Sequence, residues 1–414
     1  MIGTGIYTTT GFLVRDLGSA WQVLLAWAVG GVLSCCGALA YGQLATALPF
    51  NGGEYQLLSR LYHPAVGFIA GWVSVIAGFS APLAASSVAF AFYAGRYWPQ
   101  VPRDVLAIAL VWLVTALHLR GVKFSSKVQV TVSSLQVILL ASVIGLGLTR
   151  ALGEHPGGGH MAATPVAMHK WHALGFAHAL VYVTFAYSGW NAAVYVAGEI
   201  QRPERTLPRA LIGATGLVTL LYLLVNVVYL VSAPLSALAG VVDIGAVVAE
   251  RMYGPHAARA MTLLVCLGLA SSVSALTFSG PRVLSAMKAG SARGPRLQVQ
   301  TNHQRMTLVQ SALASVLIVT SSFEALMTYV GIMLSLSTLL ALLGVFRLKK
   351  VVHCHSPSVL MLVATSLAAS LVAWIVIATA ISAPASALFT VGTLTLGWLS
   401  YRWFGRGTLM ETRN

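Results

Sequence analysis

Gly3-Thr4-Gly5-Ile6-Tyr7 and Phe185-Ala186-Tyr187-Ser188-Gly189-Trp190-Asn191 set small and polar residues into the middle of two otherwise apolar segments. The rest of the chain says what surrounds them. Of 414 residues, 57% are hydrophobic and 8% charged, and the mean hydropathy is +0.80. A soluble protein carries roughly a quarter charged residues. The composition therefore excludes an ordinary cytosolic enzyme, a disordered chain and a nucleic-acid-binding domain. The apolar runs are continuous rather than alternating, which excludes a membrane β-barrel. An all-α polytopic membrane protein follows.

Eleven spans are predicted, at 21–47, 65–93, 104–119, 128–149, 173–197, 210–232, 259–281, 307–322, 325–346, 358–382 and 386–404. Met1 to Val14 is apolar but too short to cross a bilayer. It reads as the second half of a span one whose first half is missing, which makes twelve. With the N-terminus inside, Arg15, Arg96, Arg103, Arg150, Lys170, Arg251 and Arg259 lie outside, and the other 18 of the 25 basic residues lie on the cytoplasmic side. That positive-inside bias accounts for the net charge of +15 without a nucleic-acid partner. It places both termini in the cytoplasm and the chain in the cell (cytoplasmic or inner) membrane. No basic leader or cleavage site precedes the first span.

Little else asks for special chemistry. Cys35, Cys36, Cys266 and Cys354 lie in or beside apolar runs without metal-ligand spacing, so neither metal nor cofactor is expected. The loop at 150–172 holds Gly157 to Gly159 with His155, His160, His169 and His172, irregularly spaced, and reads as a solvated loop. Asp16, Glu54, Asp104, Glu154, Glu199, Glu204, Asp243, Glu250, Glu324 and Glu411 all fall in loops or at span ends. A binding pocket without net charge is therefore expected. His178 is the deepest titratable group and reads as a hydrogen-bonded interior histidine.

The two interruptions point to the function. A backbone group without a partner in hydrocarbon costs several kcal/mol, so an unwound stretch persists only where something polar satisfies it. One break lies in span one and the other in span six, matching positions of a five-plus-five arrangement, and paired interruptions point to a substrate site. Freed N–H groups at a half-helix N-terminus attract an anion, helped by the helix dipole. Freed carbonyls at a half-helix C-terminus attract an ammonium group. A zwitterionic α-amino acid offers both charges. Glycines in membrane helices also serve close packing, but the matched positions favour binding.

At these residues the sequence resembles the amino acid–polyamine–organocation superfamily of permeases, near the bacterial relatives of the L-type amino acid transporters. Gly3 to Tyr7 is similar to that family's GSGIF-type break. Pro49-Phe50-Asn51-Gly52-Gly53-Glu54-Tyr55 resembles its inner loop after span two. Phe185 to Asn191 resembles its span-six break, and Glu199 to Ala210 the stretch that follows. Pro281-Arg282-Val283 with Ala286-Met287 resembles the end of span eight. The resemblance runs from residue 1 to about 347 and more weakly beyond.

The resemblance implies a LeuT-like fold of two inverted five-helix repeats, 1–150 and 171–347. The two peripheral helices and a short tail would lie in 348–414. It implies that the N–H groups of Thr4, Gly5 and Ile6 hold the substrate carboxylate. The carbonyls of Phe185, Ala186 and Ser188, with Ile2, would take the ammonium. Phe185 would gate the site, and Trp190 and Asn191 would shape the side-chain pocket. Glu199, among Arg202, Arg205 and Arg209, would form an inner latch or a solvated loop. Where many relatives carry a lysine in span five this chain has Gln136, which is placed to hydrogen-bond the broken helix of span one or another helix. Ser271, Ser272 and Ser274 offer oxygens to sodium or join helices. The coupling partner, whether proton, sodium or a counter-transported amino acid, stays open. The loop Ala94–Arg103 has no cysteine, so no covalent glycoprotein partner is expected.

The expected function is an amino acid permease or exchanger in the lipid bilayer, with a neutral amino acid as substrate and alternating access at a midplane site. An amine or polyamine transporter of the same superfamily is the alternative. A non-transporting amino acid sensor is disfavoured by the lack of an output domain. A channel or intramembrane enzyme is disfavoured by the lack of a filter or catalytic motif.

Overall fold

In the computed structural model, described over residues 1–121, 126–153, 172–289, 298–348, 351 and 358–405, a helix lies over each of the eleven predicted spans. Among the described residues there is no strand. The helices are α1 (Thr4–Leu17), α2 (Ala20–Ala47), α3 (Glu54–Leu61), α4 (Pro64–Val73), α5 (Ala81–Ala94), α6 (Arg103–Leu119), α7 (Ser126–Gly153) and α8 (Ala173–Tyr187). After them come α9 (Pro203–Ser232), α10 (Leu235–Leu238), α11 (Ile244–Tyr253), α12 (Pro255–Ala289), α13 (Gln298–Thr320), α14 (Phe323–Val345), α15 (Val359–Ser382) and α16 (Pro384–Ser400). Seven helical stretches among the described residues are long and apolar enough to cross a membrane by themselves. The 17-residue helices α6 and α16 reach about 25 Å at 1.5 Å per residue, close to a hydrocarbon thickness. Residues 154–171, most of the loop predicted at 150–172, lie outside the described residues.

Local chemistry sets the boundaries. Gly18 takes a left-handed conformation and its N–H closes α1 on the Val14 carbonyl. Ser322 starts α14 by accepting the Ala325 N–H, and Ser358 does the same for α15 with Met361. His63 accepts the Ala65 N–H ahead of Pro64 at the first turn of α4. Span three is not uniform. Pro82 has no N–H to give, and the turns before it, Ser74–Ser80, widen into a π-helix in which the Ala81 N–H reaches the Ile76 carbonyl.

The centre of the bundle is α1, α2, α8 and α9. Here α1 packs on α8, and α2 packs on both α8 and α9. Trp27, Tyr187 and Tyr222 form one aromatic cluster with ring centroids 5.1–5.8 Å apart. Polar groups in this core are paired across helices. The Thr10 hydroxyl of α1 donates to Asn226 Oδ1 of α9, and Asn226 is fully buried. In lipid such a bond is worth about 1 kcal/mol. Thr10→Val and Asn226→Ala should therefore each lower thermal stability in detergent by about 1 kcal/mol, with the double variant losing less than the sum. Additive losses would show that the two side chains do not interact.

Candidate functional site

The first break is an uncapped helix start. Gly3 is extended, α1 begins at Thr4, and no side chain caps it. The N–H groups of its first turn, those of Thr4, Gly5 and Ile6 among them, have no intrahelical acceptor. The second break is a helix end. α8 stops at Tyr187, and the Ser188 N–H turns back to the Phe185 carbonyl at 3.0 Å. Gly189 adopts φ +91°, a left-handed conformation that a side chain would strain. The chain resumes as a tighter 3₁₀ helix, Trp190–Glu199.

The two breaks touch. A Cβ on Gly5 would overlap the Cα and Cβ of Ala186, so only glycine lets α1 cross α8 at this depth. The Tyr222 hydroxyl braces the crossing from α9, donating to the Met1 carbonyl at 2.7 Å and, more weakly, towards that of Ala186 at 3.4 Å. Thr4 and Ser86 share a buried hydroxyl–hydroxyl bond of 2.8 Å that fixes the start of α1 against α5.

A cavity of about 1180 Å³ opens at this crossing. Ile2, Thr4, Gly5, Phe185, Ala186, Ser188, Trp190 and Asn191 all line it. Ile6 is fully buried and is not among the lining residues, so its side chain packs away from the cavity. Gln136, Ser271 and Ser272 also reach the wall, but Ser274 does not. Its hydroxyl pairs with His118 Nε2 at 3.0 Å, so Ser274 joins α12 to α6 rather than offering an oxygen to an ion in the cavity. Gln136 corrects a second expectation. It is 7% exposed, its Nε2 has no hydrogen-bond partner among the described residues, and it packs against Gly268 of α12 rather than bonding α1. The side chain of Glu199 lies outside the described residues.

The expectation of an uncharged pocket also needs correction. Glu54 lines the cavity while only 3% exposed. It belongs to the loop after span two, but α3 folds that loop back beneath the bundle. Its carboxylate accepts from Tyr41, Asn191, Tyr195 and Ser74. Arg282 and His303 line the same cavity, so one end of it carries basic groups.

The opposite end is shut. Arg15 of α1 forms a two-point ion pair with Glu324 of α14, at 2.8 and 2.9 Å, and its Nε reaches Asp16 at 2.7 Å. Tyr182 of α8 donates to Glu324 at 2.9 Å, and His178 Nδ1 lies 4.0 Å from Asp16. Beneath them the Phe12 ring meets Tyr182 and Phe323 at 5.9 and 6.0 Å. None of these residues lines the cavity. His178 is the hydrogen-bonded histidine that the sequence suggested, its Nε2 3.5 Å from the Tyr182 hydroxyl, and it adjoins this charged cluster. Sequence alone missed the Arg15–Glu324 pair because its members are 309 residues apart. The signal was that the predicted layout puts both at span ends on the same side.

The chain matches, over residues 1–403, the family described as Amino acid permease. Solute carrier family 7 member 12 of Mus musculus is 29% identical over 359 residues, covering 84% of this chain and 76% of its own length. The Serine/threonine exchanger SteT of Bacillus subtilis (strain 168) is 25% identical over 295 residues, 69% of this chain and 64% of its own. The Large neutral amino acids transporter small subunit 2 of Homo sapiens is 26% identical over 348 residues, 80% of this chain and 64% of its own. The chain thus spans less than two thirds of the last two. A helical bundle broken at two touching points, with a match across nearly its whole length, leads to one conclusion: the chain belongs to the amino acid permease family of the amino acid–polyamine–organocation superfamily, a family of transporters and not of enzymes.

Proposed function

We propose that this protein is a secondary transporter or exchanger of neutral amino acids that works by alternating access. The observation that carries the reading is the cavity into which an uncapped helix start and an unwound helix end both open. The N–H groups of Thr4, Gly5 and Ile6 receive the carboxylate, at the positive end of the α1 dipole. The carbonyls of Phe185, Ala186 and Ser188, with that of Ile2, receive the ammonium. Phe185 closes over the substrate, and Trp190 and Asn191 bound the space for its side chain. In the five-plus-five reading, the repeats are 1–150 and 171–347, with 348–414 peripheral.

The charge pattern of the loops supports an inner-membrane protein with cytoplasmic termini. In that orientation the cavity opens inward, past Arg282 and His303, and the Arg15–Glu324 cluster seals the outside. Substrate binding shifts the balance between this state and an outward-open one only by its differential affinity for the two. Ser274 is turned to His118, and Glu54, the carboxylate among the described lining residues, is held by donors of its own. Glu54 already accepts four bonds, and the Arg282 guanidinium lines the mouth. Both features disfavour a polyamine.

Thermal-shift binding on the purified full chain should show stabilisation by at least one neutral amino acid, roughly 3 kcal/mol at a hundredfold excess over Kd, and none by putrescine. Saturable exchange of the same amino acid should follow in liposomes. Stabilisation by putrescine alone would move the protein to the amine transporters.

The outer seal makes a separate expectation. In a variant lacking the native cysteines, a cysteine introduced in place of Thr184, on the cavity wall, should react slowly with an impermeant thiol reagent applied from the Arg15 face. Glu324→Ala removes both bonds to Arg15 and should raise that rate roughly tenfold, as expected for losing about 1.4 kcal/mol of bias towards closure. An unchanged rate would mean that the ion pair does not hold the gate.

A further inference from the structure

Glu54 has no counter-ion at salt-bridge distance among the described residues, yet it is almost fully buried on the cavity wall. Its Oε1 accepts from the Tyr41 hydroxyl at 2.9 Å and from Asn191 Nδ2 at 2.8 Å. Its Oε2 accepts from the Tyr195 hydroxyl at 2.9 Å and from Ser74 at 3.2 Å. Four donors occupy the four acceptor directions of a carboxylate. Glu54 therefore has nothing left to offer a substrate directly, and its influence runs through its donors.

Three of those donors are hydroxyls, which rotate and can donate or accept. Asn191 differs. A carboxylate only accepts, so the amide must turn its NH₂ to Glu54 and its carbonyl oxygen elsewhere. Asn191 lines the cavity two residues beyond Gly189, and its Oδ1 is not among the buried polar atoms without a partner. The carbonyl oxygen is left for the cavity. Tyr41 tightens the arrangement. The ring that donates to Glu54 also packs edge-on against Trp190, with centroids 4.8 Å apart, so both residues after the left-handed glycine are held from the same side.

We propose that Glu54 is a positioning residue that locks the Asn191 amide with its carbonyl facing the cavity, so that the site selects amino acids whose side chain carries a hydrogen-bond donor. The inference rests on the reading of this cavity as an amino acid site. A side-chain hydroxyl satisfies Asn191 Oδ1. A methyl group in its place takes water from that oxygen and returns nothing, and a site built to hydrogen-bond a hydroxyl rejects the analogue that lacks it. Reversed, the amide would present N–H groups and reward acceptors instead.

Threonine and valine test this, because they differ in one hydroxyl for one methyl. Their affinities are compared by thermal shift and by exchange in liposomes, on the full chain. The wild-type protein should prefer threonine. In Glu54→Gln either amide orientation can be satisfied, and the threonine-to-valine ratio should fall roughly five- to tenfold, the equivalent of one hydrogen bond, with valine affinity little changed. The exchanged pair E54Q/N191D moves the amide to the α3 side and the carboxylate to the span-six side. The amide then donates to a carboxylate that again turns an acceptor to the cavity, and the preference should return. That rescue is not expected if Glu54 merely stabilises the fold, and it keeps the test open where E54Q alone folds poorly. A wild-type ratio near one, an unmoved ratio in E54Q, or no rescue in the exchanged pair overturns the positioning role while leaving amino acid binding intact. A wild-type protein that binds no amino acid overturns the transport reading, and this inference with it.

Discussion

Everything in this structure answers one constraint: a peptide group in hydrocarbon must have a partner. Helices meet it along their length, and the bundle departs from it at two points. At Thr4 a helix begins without a capping side chain, and at Ser188 a helix ends in a left-handed glycine turn. Elsewhere in the membrane region such ends would be costly. Here they meet where Gly5 rests on Ala186, and both border one cavity. In the proposed reading the substrate completes the pairing that the fold leaves undone. Backbone groups can then bind a doubly charged molecule without a charged side chain touching it.

The two polar clusters, one at Arg15–Glu324 and one around Glu54, differ in strength. Arg15 and Glu324 are each more than a third exposed, so their attraction is screened, although the two-point geometry keeps it directional. A latch of that kind is worth little enough to be undone by binding energy. The Glu54 cluster is the reverse. It is buried, four-fold bonded, and links α2, α3, the π-helical turn of span three and the resumed half of span six. Losing one of its donors leaves a buried acceptor unpaired, which costs more than the bond itself is worth. The resumed half of span six, Trp190–Glu199, is therefore tied down more firmly than the contact between Arg15 and Glu324.

The sequence made much of this legible. Long apolar runs mark spans whatever their neighbours, so each predicted span from 21–47 to 386–404 coincides with helix. Composition also marked both interruptions, since Gly3, Gly5 and Ser188-Gly189 stand out against leucine and valine. What stayed hidden depends on long-range placement. Short amphipathic helices such as α3 and α11 give no span signal. Glu54 looks like a loop residue until α3 tucks it under the bundle. Ser274 is one of three serines close together in α12, and only rotation about the helix axis decides that it faces His118 and not the cavity. Gln136 had polar neighbours in prospect, yet the packing of α7 on α12 sets its amide against Gly268.

Simultaneous recognition of a carboxylate and an ammonium by backbone groups is the central claim. The most direct measurement is calorimetric binding of one neutral amino acid beside its decarboxylated amine and its deaminated acid, on the purified full chain. The amino acid should bind, and each analogue should bind at least a hundredfold more weakly, because losing a charge-assisted contact on either side costs roughly 3 kcal/mol. An amine or an acid that binds as tightly as the parent amino acid would contradict it.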